Sequence, residues 1–370
     1  MPYGRRVRIA HVSDCYLPRT GGIETQVRAL AIRQLEAGQD VRVITATAGS
    51  DGDDVPIRRC TMRIPFDLPI HLRTRAAVTA VLAEDPVDVL HVHAGVVSPF
   101  AWGALRAARR LGIPALVTVH SIWGGLARPG YRCSDGLLHW SRWGMQLSAV
   151  SELAAQRVRA AVPAAGEVLV IPNGIDPLPW RIAHRPPEPG VLRLVSVMRL
   201  APRKRVMPLI RIVHQAQREL GDRCALQLVV VGDGPERDRA ERAAGERIRF
   251  EGRLDQQGIR DRLAQADLYI QPSVKESFGI AALEARSAGL PVLARSQAGT
   301  AQFIRDGVEG ILVDSDGQMT DAIVRLAQDQ TTLARIAAHN STVPPDQTWD
   351  RVLDLARDGY ARAVARRRRA

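Results

Sequence analysis

Seven residues separate two glutamates in the stretch Lys275-Glu276-Ser277-Phe278-Gly279-Ile280-Ala281-Ala282-Leu283-Glu284. The run before it, Asp267 to Pro272, suits a short buried strand around Tyr269 and Ile270. Ser277 reads as an N-cap, Ala281 to Ala288 as helix, and Gly289 with Pro291 as its stop. Glu276 is then expected in the loop and Glu284 about two turns into the helix, so the pair can hold different parts of one elongated ligand. Between them the helix N-terminus attracts an anion, because its first amides have no partner within the helix.

A second constellation is cationic. The apolar run Val191 to Met198 leads into Arg199-Leu-Ala-Pro-Arg203-Lys204-Arg205, ahead of an amphipathic helix expected from Val206. Of 51 basic residues only two are lysine, Lys204 and Lys275, and each falls in one of these two motifs. A compact ammonium binds phosphate as a point charge where a planar guanidinium does not fit. Lys275 reads equally well as a solvated loop residue, whereas Lys204, just past a strand, reads as a phosphate ligand. Arg199 and Lys204, clustered at a strand's end, suit an anionic ligand. The backbone amides of Gly21 and Gly22, beside a predicted helix start, can also approach phosphate because no side chain intervenes.

Taken together, Arg199 and Lys204 with a Glu-x7-Glu element containing Ser-Phe-Gly resemble the retaining glycosyltransferases of family 4. The resemblance extends over nearly the whole chain: Pro18-Arg-Thr-Gly21-Gly22-Ile-Glu24-Thr, Asp88-Val-Leu-His91-Val-His93, Val117-Thr-Val-His120, Ala149-Val-Ser151-Glu152 and Ile171-Pro-Asn173-Gly174-Ile-Asp176 follow one another in the family's order. It implies an α/β chain of the GT-B fold, two Rossmann-like doubly wound parallel-sheet domains facing across a cleft. It further implies a UDP- or GDP-sugar donor, with a hexose or N-acetylhexosamine moved to a hydroxyl acceptor that is lipid-linked, inositol-type, or a small molecule or glycan. Carried over by motif, Glu276 contacts the donor-sugar hydroxyls and Glu284 the nucleotide ribose, while Phe278, Gly279 and Ile280 offer amides to sugar and phosphate. His120, at the carboxyl end of an apolar strand, matches the family histidine near the sugar's 6-hydroxyl. His11 and His91 read instead as satisfied core histidines. Retention, by front-face attack with the diphosphate taking the acceptor's proton, rests on the family alone. The segment Gln297-Ala298-Gly299-Thr300-Ala301-Gln302 departs from a family pattern of Gly-Gly followed by Glu, so no donor contacts are carried over to it.

Other readings stand beside this one. A nucleotide-sugar epimerase or an idle GT-B binding subunit uses the same frame, although two glutamates and two site cations argue against idleness. A sugar phosphorylase needs a lysine for pyridoxal phosphate, and neither Lys204 nor Lys275 is spare. No Asp-x-Asp follows a strand, and Asp51 to Asp54 reads as a solvated loop, so no metal and no other cofactor is expected.

Composition sets the outer bounds. A length of 370 residues with 46% hydrophobic content accommodates two domains with separate cores. Four scattered cysteines without a C-x-x-C pair argue against a zinc cluster or disulfide scaffold, and suit a reducing cytoplasm. No signal-peptide h-region follows the N-terminus and no apolar run reaches spanning length, so the chain is expected in the cytoplasm without crossing a bilayer. A net charge of +12 calls for an acidic partner. Nucleic acid is the weakest candidate and none is expected, since aromatics make up 4% of the chain and do not interleave with the arginines. Peripheral contact between Arg366–Arg369 and the anionic inner face of the membrane stays open, beside a solvated end.

Alternation of strands and helices must position these groups. The first domain is expected over 1–175, with strands at 7–13, 41–45, 87–92, 115–119 and 168–172 and helices at 23–36, 73–84 and 99–111. The aromatic stretch Trp123 to Trp143 lacks a period and reads as an irregular lid or acceptor surface. Five prolines mark 176–190 as a stiff linker. The second domain is expected over 191–345, with strands at 192–197 and 225–231 and near Ile248, Tyr269, Val292 and Ile311. Gly232-Asp-Gly234 lacks the third glycine of a dinucleotide fingerprint, Arg237 standing in its place. The last helix, 346–365, is assigned to the first domain by the resemblance.

Overall fold

Thirteen strands and twelve α-helices alternate among the described residues, which in this computed structural model are 6–19, 21–50, 52–62, 71–125 and 127–369. They fall into two units, residues 1–174 with 349–370, and residues 175–348.

In the first unit, β1 (Arg8–Ser13), β2 (Asp40–Thr45), β3 (Ile57–Arg59), β4 (Val89–Ala94), β5 (Ala115–Val119), β6 (Gln146–Ala149) and β7 (Val168–Val170) form one sheet in the order β3-β2-β1-β4-β5-β6-β7, all pairs parallel. The helices between them are α1 (Gly22–Glu36), α2 (Thr74–Glu84), α3 (Pro99–Leu111), α4 (Ala127–Leu138) and α5 (Glu152–Ala161). Because side chains alternate along each strand, one face meets α2, α3 and α5 through Ala10, Val12, Leu90, Val92, Val117, Leu82, Leu105 and Val158. The other face meets α1 and α12 (Trp349–Arg369), where Ile9, Val89 and Leu116 pack with Val27, Leu30, Val352, Ala356 and Tyr360. On that second face the carboxyl halves of the strands turn polar, with His11, His91, His93, Thr118 and Ser148 all buried.

The second unit repeats the design. Its strands β8 (Val191–Val197), β9 (Ala225–Val231), β10 (Ile248–Phe250), β11 (Leu268–Gln271), β12 (Val292–Arg295) and β13 (Gly310–Val313) pair in parallel in the order β10-β9-β8-β11-β12-β13. Helices α6 (Val206–Leu220), α7 (Arg237–Ala244), α8 (Gln256–Ala264), α9 (Ile280–Ser287), α10 (Asp316–Gln328) and α11 (Gln330–Thr342) cover it. The stretch 176–190 belongs to this unit: Trp180 is buried, His184 bonds the Ala288 carbonyl, and the Arg185 amide donates to Ala264 O at 2.8 Å.

Several expectations change. Strands β3 and β6 carried too short an apolar pattern to stand out in the sequence. The stretch Trp123 to Trp143 is not irregular throughout: it contains a helix, α4, and two of its four aromatics are buried. Trp123 stacks on Tyr131 at 3.6 Å, and Trp123 and Trp140 are buried. Asp53 is not solvated, since it takes a 2.7 Å bond from Arg28 and another from the Tyr16 hydroxyl; Asp51 lies outside the described residues. The last helix runs on to Arg369. No helix among the described residues is long and apolar enough to cross a membrane.

Candidate functional site

Each sheet order reverses direction once, between β1 and β4 in the first unit and between β8 and β11 in the second. In an open parallel sheet the loops leaving two such strands diverge to opposite faces, which opens a crevice at their carboxyl ends where ligands bind. The residues singled out in the sequence gather at these two places.

In the second unit, Arg199 and Lys204 lie in the loop from β8 to α6, and Glu276 lies in the loop from β11 to α9. Lys204 Nζ and the Glu276 carboxylate form an ion pair across the crevice, with 22% and 14% of the two side chains exposed, so part of each head group faces water. Ser273 Oγ donates to the Lys204 carbonyl at 3.2 Å, tying the two loops by main chain as well. Arg205 holds the left-handed conformation (φ 66°), which is unfavourable for a residue with a β-carbon. Its guanidinium grips both oxygens of Asp316 at 2.8 and 2.6 Å, which secures the turn into α6. Arg199 and Lys275 are both exposed.

Gly279, rather than Ser277, is the N-cap of α9, and no side chain caps the helix. Its φ of +97° is open to glycine, and a β-carbon there would sit 2.5 Å from Thr300 Oγ1. The first amides of α9, beginning at Ile280, therefore start without a side-chain acceptor. Phe278 is buried against Phe303, so what it can offer a ligand is backbone. One turn into α9, Glu284 is half-buried, and burial pushes its carboxyl up to about 8. Burial above all raises the Tyr269 hydroxyl and keeps it protonated, donating to Val197 O at 3.3 Å.

The loop that departed from the family pattern has a structural task. Gly299 N donates to Glu276 O at 2.8 Å, and Thr300 Oγ1 donates to Phe278 O at 3.3 Å while accepting from Gln271 Nε2 at 2.9 Å. It braces the glutamate loop from behind. The small residues of Ala298-Gly299-Thr300 were the signal available in the sequence.

In the first unit, Gly21 is the N-cap of α1 and Gly22 its first residue, again without a side-chain cap bond to the helix amides. Glu24 stands close by: a β-carbon on Gly21 would lie 2.5 Å from its Oε2. That carboxylate is buried; the motif in the sequence contained it without giving it a role. Asp14, just past β1, was missed as well. It accepts the Phe100 and Ala101 amides at 2.9 and 3.2 Å at the start of α3, and burial pushes it up to about 6.

His120 follows β5, and its Nε2 lies 2.9 Å from His93 Nδ1. Burial lowers its imidazole to about 4. His11 and His91, read as core histidines, are buried with both ring nitrogens in hydrogen bonds. His11, His91 and His93 also form a group with metal-ligand spacing, their ligand atoms lying within 4.8 Å of one another. Every ring nitrogen in that trio already has a hydrogen-bond partner.

Comparison with known proteins agrees with this geometry. Residues 20–177 match the family model "Glycosyltransferase Family 4" and residues 192–329 match "Glycosyl transferases group 1". A phosphatidyl-myo-inositol mannosyltransferase of Mycobacterium leprae is 28% identical, with 93% of each chain covered. A GDP-mannose-dependent alpha-mannosyltransferase of Corynebacterium glutamicum is 25% identical over 98% of this chain and 90% of that one. Among solved structures, Anabaena HepE in complex with UDP and glucose superposes with a TM-score of 0.74 at 18% identity, covering 95% of this chain and 99% of that chain. With the two family matches spanning most of its length and both sheets in place, the chain is a glycosyltransferase of the GT-B fold and belongs to glycosyltransferase family 4.

Proposed function

We propose that this glycosyltransferase moves a hexose or N-acetylhexosamine from a UDP- or GDP-sugar to a hydroxyl acceptor, with retention of anomeric configuration and without a metal ion. The observation that carries this reading is the Lys204–Glu276 pair at the β8/β11 switch point, beside the uncapped start of α9. Within the chain the two side chains neutralise each other. A donor replaces both contacts at once, its diphosphate taking Lys204, exposed Arg199 and the α9 amides, and its sugar hydroxyls taking Glu276. The leaving diphosphate gains charge as the glycosidic bond breaks, so these cations favour the transition state over the ground state. Glu284, nearer the helix interior, is placed to accept the ribose hydroxyls. Named relatives support the donor class: one uses GDP-mannose, and a structural neighbour holds UDP and glucose. The inositol-lipid relative makes a phosphoinositide the first acceptor to try.

Thermal shift against UDP, GDP, ADP and their sugars is the direct test, since a ligand that binds the folded chain raises its melting temperature. Stabilisation by a uridine or guanosine diphosphate, followed by transfer to an inositol lipid with an α-linked product from an α-linked donor, is expected. Indifference to every nucleoside diphosphate would refute the donor site.

A further inference from the structure

Eight hydrogen bonds in the first unit run in unbroken series from a backbone carbonyl to His120. Ser148 Oγ lies 3.2 Å from Val117 O, Thr118 Oγ1 2.7 Å from Ser148 Oγ, His91 Nε2 2.8 Å from Thr118 Oγ1, and the Tyr360 hydroxyl 2.9 Å from His91 Nδ1. Gln34 Nε2 then lies 2.8 Å from the Tyr360 hydroxyl, His11 Nε2 2.7 Å from Gln34 Oε1, His93 Nε2 2.9 Å from His11 Nδ1, and His120 Nε2 2.9 Å from His93 Nδ1. Strand alternation puts the polar residues of β1, β4, β5 and β6 on the face toward α1 and α12, which supply Gln34 and Tyr360.

One end of this series has a fixed direction. A carbonyl carries no proton, so Ser148 donates to Val117 O and has no proton left for Thr118. Thr118 therefore donates to Ser148, which obliges His91 Nε2 to donate to Thr118. The neutral His91 then has a lone pair at Nδ1, and the Tyr360 hydroxyl donates to it. With that proton used, Tyr360 accepts from the Gln34 amide nitrogen, and the Gln34 carbonyl faces His11. Each imidazole now passes the same polarity on: His11, His93 and His120 all carry their proton on Nε2. Reversing the series would leave two oxygens, Ser148 Oγ and Val117 O, facing each other across 3.2 Å without a proton between them. This polarity requires neutral rings, and burial lowers all four histidines, His11 and His120 to about 4.

We propose that Gln34 and Tyr360 are positioning residues for His120: through this series they hold its imidazole as the Nε2–H tautomer, so that Nδ1 presents a lone pair and accepts a hydrogen bond from a donor-sugar hydroxyl. The sugar contact itself rests on the reading given under the proposed function. A ring in the other tautomer would present a proton at Nδ1 and favour an acceptor there, so the network makes His120 selective for a hydroxyl that donates.

Two-bond proton–nitrogen correlation spectra of the 15N-histidine-labelled full chain read the tautomer directly, because protonated and bare ring nitrogens differ widely in shift. His120 is assigned by loss of its signals in His120→Gln. Wild type is expected to show all four buried histidines protonated at Nε2. Tyr360→Phe keeps the ring in the core but removes the hydroxyl, so the His120 nitrogens should move toward tautomer-averaged shifts while kcat falls about 3- to 10-fold. Gln34→Leu should do the same, whereas Gln34→Glu keeps an acceptor toward His11 and should restore the wild-type His120 pattern. Wild-type Nδ1 protonation at His120, or His120 signals unmoved in both Tyr360→Phe and Gln34→Leu, would overturn the proposal. So would a histidine spectrum altered by EDTA, which would make the trio metal ligands. A shifted tautomer with wild-type turnover would uphold the hydrogen-bond series, but overturn the positioning role and remove His120 from the sugar site.

Discussion

Lys204 and Glu276 show how little the free-standing chemistry of a side chain says about its task. Each is an ordinary charged residue until two loops bring them together at the end of a sheet. We expect Lys204→Ala and Arg199→Ala each to lower kcat/KM by about 3 kcal/mol of transition-state stabilisation, the scale found on removing an oxyanion donor. Arg199 is exposed, so its loss should leave the urea midpoint unchanged; near wild-type turnover in both variants would remove them from the diphosphate site. Glu284 makes a sharper claim. Burial holds its carboxyl at about 8, so near pH 7 it is mostly protonated, and a ribose that binds the carboxylate must expel that proton. Nucleotide affinity should therefore rise with pH up to about 8, by up to about tenfold per unit, and calorimetry in buffers of different ionisation heat should register proton release. A flat profile, or one that Glu284→Gln leaves intact, would mean the ribose does not meet Glu284.

The elements that hold these residues are built around exceptions to local rules. Helix α9 is eight residues long and starts on a left-handed glycine with no capping side chain, a poor beginning for a helix left to itself. Packing sustains it: Ala282, Leu283 and Ala285 are buried, and the Gly299 loop supports the turn before it. Gly279→Ala should cost at least about 1 kcal/mol from the left-handed conformation alone, with more from the approach of Thr300. It should also weaken nucleotide binding, since the α9 amides would shift. A variant as stable as wild type in urea would show that the turn relaxes freely.

For the molecule as a whole, the buried histidines set an acid limit. His11 and His120 are lowered from 6.5 to about 4, and His91 and His93 are lowered well below 6.5, all by burial first. The sign is fixed by linkage: unfolding lets these rings take up protons, so their contribution is fully present above pH 6.5 and is lost as pH falls toward 4. One such ring accounts for on the order of 3 kcal/mol. The first unit should thus melt progressively lower over that window, and Tyr360 or His11 spectroscopic probes should report it before probes in the second unit. Coincident loss of both units, or none, would contradict this assignment. If Arg199, Lys204 and backbone amides supply the positive charge, turnover should survive EDTA; complete loss restored by magnesium or manganese would reveal a cation the reaction needs.

Much of this was legible in the chain itself. Apolar runs such as Ala225 to Val231, set beside an amphipathic helix, dictate a buried parallel sheet, because strands covered on both faces read that way. The Glu276–Glu284 spacing and the isolated Lys204 singled out residues that the structure places at and beside the β8/β11 switch point, since charge and helix periodicity are local properties, whereas Lys275 is simply exposed. Other features depended on residues far apart in sequence. Tyr360 meets His91 across 269 positions and Gln34 across 326, so no local pattern announces the histidine series. The N-cap at Gly279 and the bracing by Gly299 likewise follow from how close two loops come, a distance fixed by the sheet beneath them. Sequence determined which charged and titratable groups lie on which element, because those are local properties; tertiary packing alone decided which of their protons and charges face one another.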